Sequence, residues 1–326
     1  MKATEIIKKF SNKQLLFLEG IAPEKYAEVL AGIRLKKYIS ETDFNELSMQ
    51  NRKICIIDKG EWDYPLFQIS FLNNMLANII DCLSRGYAPV VEFKNTKDGI
   101  NLWEQFLEQP FLGDNKKKTS DVIKFEKKRA SLWFPIIPSE KDVEIISKMI
   151  KRVVKMNDTT KIYVEREYND IIKGKKVLGV LCSGTDYTSN KPKGHPVQPT
   201  VEEVIDHVGE KIDALDCQYI YLATEEENIL NKFTAAFPNK ILTNKRFYYD
   251  DFYAIKEQYG ELARISQVSN GRENDNYYKS LEYLSSIYIL SKCDSLIAGN
   301  CGGSRAALYL NGNNYQYSYL FDYGLY

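Results

Sequence analysis

The chain has 326 residues, room for two domains at roughly 100–200 residues each. It balances 44 Lys plus Arg against 44 Asp plus Glu, so no net field favours nucleic acid or an acidic membrane, and a small or neutral partner fits better. A hydrophobic content of 44% excludes general disorder, no window reaches the roughly 18 uninterrupted apolar residues of a membrane span, and MKATEIIKKFSNKQLL lacks the apolar core of a secretory signal, so a cytoplasmic protein is expected.

After an N-terminal helix, KICIID (53–58) predicts a strand, and LFQISFLNNMLANIIDCLSRG a helix closed by Gly86 in the left-handed position. APVVEF (88–93) predicts a second strand, completing a βαβ unit whose strands should be parallel. In NLWEQF, Trp103 lies near Phe106 and Leu107 on a helix, where packing and acceptor contact are both open readings. The charged GDNKKKTSDVIKFEKKRA is expected to be a solvated surface segment. Ser139 is placed to cap a helix, and the polar stretch from Met156 to Lys176 reads as a connector containing another. The domain boundary is therefore expected near Gly174, giving residues 1–173 and 174–326.

The second half alternates regularly. Strands are expected at 177–182, 218–223, 240–243, 295–299 and 315–321, with helices at 201–214, 227–237, about 276–292 and 303–311. This order implies a doubly wound parallel sheet. Thr200 and Glu203 form a capping-box pattern at the start of the first of these helices. Ligands of such sheets sit beyond the carboxyl ends of the strands, so 183–198, 224–227 and 300–305 are the segments to watch.

The six cysteines lie mostly in apolar runs without CxxC spacing and read as reduced core thiols. With only His195 and His207 and no HxxxH pattern, a dedicated transition-metal site is not expected; a carboxylate-bound Mg²⁺ stays open. LIAGNCGGSRAALYL sets Gly299, Gly302 and Gly303 between strand and helix, beside Asn300, Cys301, Ser304 and Arg305. Bare amides with a guanidinium make an anion site, and a tight turn with no ligand explains the glycines equally well. Thr224, Glu225 and Glu226 end a buried strand, where they either cap the next helix or hold sugar hydroxyls or a base edge. Glu282, inside the long helix, has a surface salt bridge as its default reading. No GxGxxG or GK[ST] motif occurs, which demotes NAD-dependent dehydrogenases, methyltransferases and P-loop kinases.

SGTDYTSNKPKGHPVQPTVEEVI, followed by YLAT with its acidic pair and by LEYLSSIYILSKCD before the glycine turn, resembles the GDP-fucose-dependent fucosyltransferase superfamily, closest to bacterial surface-polysaccharide relatives of the α-1,6-fucosyltransferases. The resemblance spans about 177–326 and extends more weakly over 53–111. It implies a GT-B architecture, two Rossmann-like domains facing a cleft, the N-terminal one on the acceptor side and the C-terminal one binding a nucleotide sugar. The implied chemistry is inverting transfer of fucose from GDP-fucose to a surface glycan or its precursor, with no obligatory metal. Peripheral membrane contact through a lipid-linked acceptor is compatible with it. The resemblance assigns Asp186 to orienting the loop or binding donor hydroxyls, with Ser183, Gly184, Thr185 and Tyr187 alongside; an Asx-turn is the rival reading of Asp186. The loop from Tyr187 to Val201 holds no carboxylate, so His195 is the candidate base, with a structural histidine as the alternative. Ser183 departs from the family pattern, in which an arginine neutralises the diphosphate. The readings are a weakened enzyme, a binding-only descendant, or relocation of the cation to Arg305.

Overall fold

The computed structural model describes residues 9–49, 52–62, 69–95, 99–111, 122–124, 137–183, 188, 190, 191, 193–249 and 268–326. The chain divides into two compact α/β units, the second containing Asp158–Tyr326 and the first most of what precedes it.

In the first unit, helix α1 (Asn12–Ile21) starts at a reciprocal box in which Gln14 N–H donates to Ser11 Oγ at 3.3 Å and Ser11 N–H to Gln14 Oε1 at 2.8 Å. Helix α2 (Glu24–Glu41) follows and brings Arg34 inward. Arg34 is fully buried, and its three guanidinium nitrogens donate to Glu19, Ser84 and Asp81, stapling the helical hairpin to α3 (Ile69–Ser84). Strand β1 (Ile54–Trp62) runs parallel to β2 (Ala88–Asn95), with Ile54 opposite Ala88, and Gly86 at φ 86° ends the intervening helical turn as its position predicts. In the short helix α4 (Leu102–Phe106), Trp103 is fully buried and its Nε1–H donates to Glu108 O at 2.8 Å, so its role is packing.

Of the lysine-rich segment expected to be a solvated surface, only 122–124 are among the described residues. There Val122–Lys124, with two β-branched residues that favour extended backbone, forms β3, parallel to β1 on the side away from β2 in the order β2-β1-β3. Helix α5 (Glu140–Val153) is capped by Ser139, whose Oγ accepts from Asp142 N–H at 3.2 Å. Helix α6 (Asp158–Ile171), which the sequence assigns to the connector before Gly174, groups with the second unit.

The second unit holds β4 (Val177–Leu181), α7 (Val201–Lys211), β5 (Tyr219–Ala223), α8 (Glu227–Ala236), β6 (Ile241–Leu242), α9 (Asp275–Leu290), β7 (Ser295–Gly299), α10 (Gly302–Asn311) and β8 (Tyr317–Phe321). Its five strands are all parallel, in the order β6-β5-β4-β7-β8. Alternate side chains face opposite layers, as the pleat requires. Leu178, Val180, Ile220 and Leu222 pack with Val204, Val208 and Phe233 of α7 and α8, while Val177, Leu181 and Tyr221 pack with Leu290 and Leu308 of α9 and α10. Helix α6 joins the latter layer: Ser285 Oγ donates to Glu167 Oε2 at 2.9 Å, and Tyr168 meets Tyr288 edge to face. Gly179 lets β4 pass close to the end of α9 and the turn after it, since a Cβ there would lie 3.1 Å from Leu290 and Cys293.

The mixed α/β class with parallel sheets is thus the one the sequence predicts. All six cysteines are buried and none is in a disulfide. No described helix is long and apolar enough to cross a membrane.

Candidate functional site

Strands β4 and β7 are neighbours whose connections leave in opposite directions along the sheet, which makes the gap beyond their carboxyl ends the topological switch point. Two loops meet there. Gln198, buried in the KPKGHPVQP segment, donates from Nε2 to Asn300 O at 2.8 Å and to Pro196 O at 3.0 Å. Gly299 makes room for this meeting: a Cβ there would lie 2.4 Å from Gln198 Oε1, so the amide end would have to shift. Two polar groups at the junction, Gln198 Oε1 and Asn300 Nδ2, are buried with no hydrogen-bond partner among the described residues. Such groups are costly unless a ligand or water completes them.

Arg305 is held to this junction, its Nη1 donating to Asn300 Oδ1 at 3.2 Å. Ser304 is not turned to a ligand: its hydroxyl accepts from Cys301 N–H at 3.0 Å and donates to Cys301 O at 2.9 Å, closing the first turn of α10. Cys301, Gly302, Gly303 and Ser304 are all buried. Gly303 answers to packing, since a Cβ would sit 3.0 Å from Tyr283 Oη and 3.1 Å from Ile287.

The loop after β4 begins at Cys182, whose thiol burial pushes up to about 12, an inert core group rather than a nucleophile. Ser183 follows and is half-buried. Gly184, Thr185, Asp186 and Tyr187 lie outside the described residues. His195 is exposed on a stretch whose backbone pairs with the chain's last residues: Tyr326 N–H donates to His195 O at 3.0 Å, Gly194 N–H to Tyr326 O at 3.1 Å, and Val197 N–H to Gly324 O at 3.0 Å. The other histidine, His207, is packed among Tyr319 and Phe321 with Nε2 3.2 Å from Tyr317 Oη; desolvation lowers its pKa, as for a packing residue. Thr200 and Glu203 form the predicted capping box at the head of α7, with Glu203 N–H 3.2 Å from Thr200 Oγ1 and Thr200 N–H 2.7 Å from Glu203 Oε2.

At the end of β5, Thr224 is buried and its hydroxyl accepts from Glu226 N–H at 3.3 Å, a local turn contact. Glu225 points elsewhere: Arg246 Nη2 donates to its Oε1 at 3.1 Å. Glu226 precedes α8 without a side-chain cap. Glu282 is not a surface ion pair. It is buried and takes Arg272 in a fork, Nη1 at 2.5 Å and Nη2 at 3.0 Å, while Asp275 accepts from Arg272 Nε at 2.8 Å. Burial opposes the ionised form of Asp275, but Lys279, Asn270 N–H and Arg272 outweigh it and hold its pKa below the usual range. Both carboxylate oxygens of Glu282 are engaged, and its carbonyl accepts from Asn244 Nδ2, just beyond β6, at 3.1 Å and from Ser286 Oγ, one turn on in α9, at 2.9 Å.

The structure therefore brings Asn300, Arg305 and Gln198 together, and leaves Ser304 and Glu282 occupied internally. Gln198 was missed although it stands in the quoted loop, between two prolines that fix its backbone. Arg246 was missed because no local pattern marks it. Among the described residues, no group of three His, Cys, Asp or Glu is placed to hold a metal.

No family model and no curated protein matches the sequence. Solved structures of similar chain path include the NodZ α-1,6-fucosyltransferase soaked with GDP-fucose, at TM-score 0.46 and 12% identity over 80% of this chain and 93% of that one. Fucosyltransferase NodZ from Bradyrhizobium aligns at TM-score 0.43 and 10% identity over 79% of this chain and 93% of that one. POFUT1 in complex with GDP-fucose aligns at TM-score 0.37 and 11% identity over 88% and 78% of the two chains. At these values the likeness is one of fold alone.

Proposed function

We propose that this protein is an inverting glycosyltransferase that moves fucose from GDP-fucose to a glycan acceptor or its precursor, with its donor at the switch point of the second unit. The observation that carries the reading is the meeting of the HPVQP segment with the glycine turn, where Gln198 Nε2 lies 2.8 Å from Asn300 O and Arg305 is held 3.2 Å from Asn300 Oδ1. A leaving diphosphate needs donors and positive charge, and an acceptor hydroxyl needs a base. Arg305 and the unpartnered Asn300 Nδ2 supply the first. His195 is the base within the motif loop, and Asp186 orients the donor. An acceptor oxygen forms a bond to the anomeric carbon and gives its proton to the His195 imidazole, while the bond to the diphosphate oxygen breaks and the nucleoside diphosphate leaves with the electron pair.

Thermal shift against GDP, UDP, ADP, CMP and their sugars is the first test. A nucleotide bound at about 100 times its Kd stabilises by about 2.7 kcal/mol, so GDP and GDP-fucose should raise the melting temperature in proportion to the logarithm of concentration. If none of these ligands moves it, the reading is wrong. Ser183 favours a second reading, a nucleotide-sugar-binding protein without turnover, which binding in the absence of both transfer and donor hydrolysis would identify. Relocation of the cation predicts that Arg305→Ala lowers turnover about 10²- to 10³-fold. A large gain from Ser183→Arg with Arg305→Ala unchanged rules relocation out.

A further inference from the structure

We infer that Glu225 takes the ribose diol of the nucleoside diphosphate and that Arg246, its side chain withdrawn from water, is the positioning residue that aims it. The inference rests on the donor reading above and adds the part of the donor that the end of β5 recognises. In the order β6-β5-β4-β7-β8, β5 lies beside the first strand of the unit, on the side away from β7. In doubly wound sheets that hold nucleotides, an acidic residue reaches the ribose hydroxyls from the strand-end rim. Glu225 stands two residues beyond the last residue of β5, Ala223, with its side chain 37% exposed.

The carboxylate is fixed from both sides. Its backbone is clamped by Tyr249, whose N–H donates to Glu225 O at 2.9 Å and whose carbonyl accepts from Glu227 N–H at 3.1 Å. Its Oε1 accepts from Arg246 Nη2 at 3.1 Å, while no described residue donates to Oε2. Arg246 itself has a side chain only 7% exposed, with Nη1 3.5 Å from Ser286 Oγ and Nε buried without an acceptor among the described residues. Burying a guanidinium against one half-exposed carboxylate is a poor stability device. It is a good way to hold an acceptor oxygen still, with one lone-pair edge open to a hydroxyl donor. Thr224 brings no charge: its hydroxyl accepts from Glu226 N–H at 3.3 Å and is buried.

The test compares the best-binding member of the GDP, UDP and ADP set with its 2′,3′-dideoxy form by titration calorimetry. Hydrogen bonds from the diol to a carboxylate predict an affinity ratio of about 10 to 100 in the wild type. Glu225→Gln and Arg246→Met should bring the ratio to within about threefold of unity, and Arg246→Lys should restore part of it. Melting curves report folding separately; if Arg246→Met does not fold, Glu225→Gln and Arg246→Lys decide. A wild type that treats the two nucleotides alike, or a Glu225→Gln variant that keeps the ratio, overturns the inference and leaves the donor reading standing. A wild type that binds none of the three diphosphates overturns both.

Discussion

Arg34 in the first unit and Arg246 in the second are both withdrawn from water, at 0% and 7% side-chain exposure, but their partners differ. All three nitrogens of Arg34 reach acceptors, and of its two acids Asp81 is as buried as the arginine itself demands. Arg246 has one carboxylate, and that carboxylate looks outward. A closed set of buried charges fixes geometry and has nothing left to offer a ligand. An open set gives up some stability and keeps an acceptor at the rim.

Breaking the closed set should have the largest effect. Arg34→Met leaves Asp81 buried with only Arg85 beside it, and should cost about 3–5 kcal/mol in urea unfolding while leaving nucleotide affinity of the folded fraction unchanged. Gly299→Ala should cost about 1–3 kcal/mol by overpacking and also weaken nucleotide binding, because the added methyl displaces Gln198; paired with Gln198→Ala, its stability cost should shrink in the same denaturation assay. Arg246→Met should cost about 1–2 kcal/mol, less than Arg34→Met, since Glu225 can turn to water. Equal losses for the two arginines would erase the contrast.

The smallest effect concerns sign. Burial raises the pKa of Glu167, against the opposing pull of Ser285, Lys245 N–H and Asn244. Its folded value then exceeds the unfolded one, so its contribution is intact below the ordinary glutamate range and is lost as pH rises through the folded value. Glu167→Gln should therefore become progressively more stable relative to wild type between acid and neutral pH; a difference constant with pH contradicts this.

The second unit was legible because its strands are continuous apolar runs. VLGVL, YIYLA and SLIAG are buried on both faces, so each strand end fell within about a residue or two of its expected place. Gly86 and Ser139 were equally readable, since a left-handed turn and a helix cap each need a particular residue type. Long-range side-chain chemistry was not. TNKRFYY carries no period that distinguishes Arg246, and Glu225 is its partner only because β5 and the chain after β6 run side by side. The allegiance of α6 depends on Glu167 meeting Ser285, 118 residues away. The three-residue β3 fell below any pattern that lysines did not obscure.

Gln198 and Gly299 have a consequence for descent. Because the amide end of one occupies the space a side chain at the other would fill, a change at either position bears on the other. A sister protein with alanine or serine at 299 is expected to bear a shorter residue at 198, or a glutamine whose amide has swung away from the seam between the two loops.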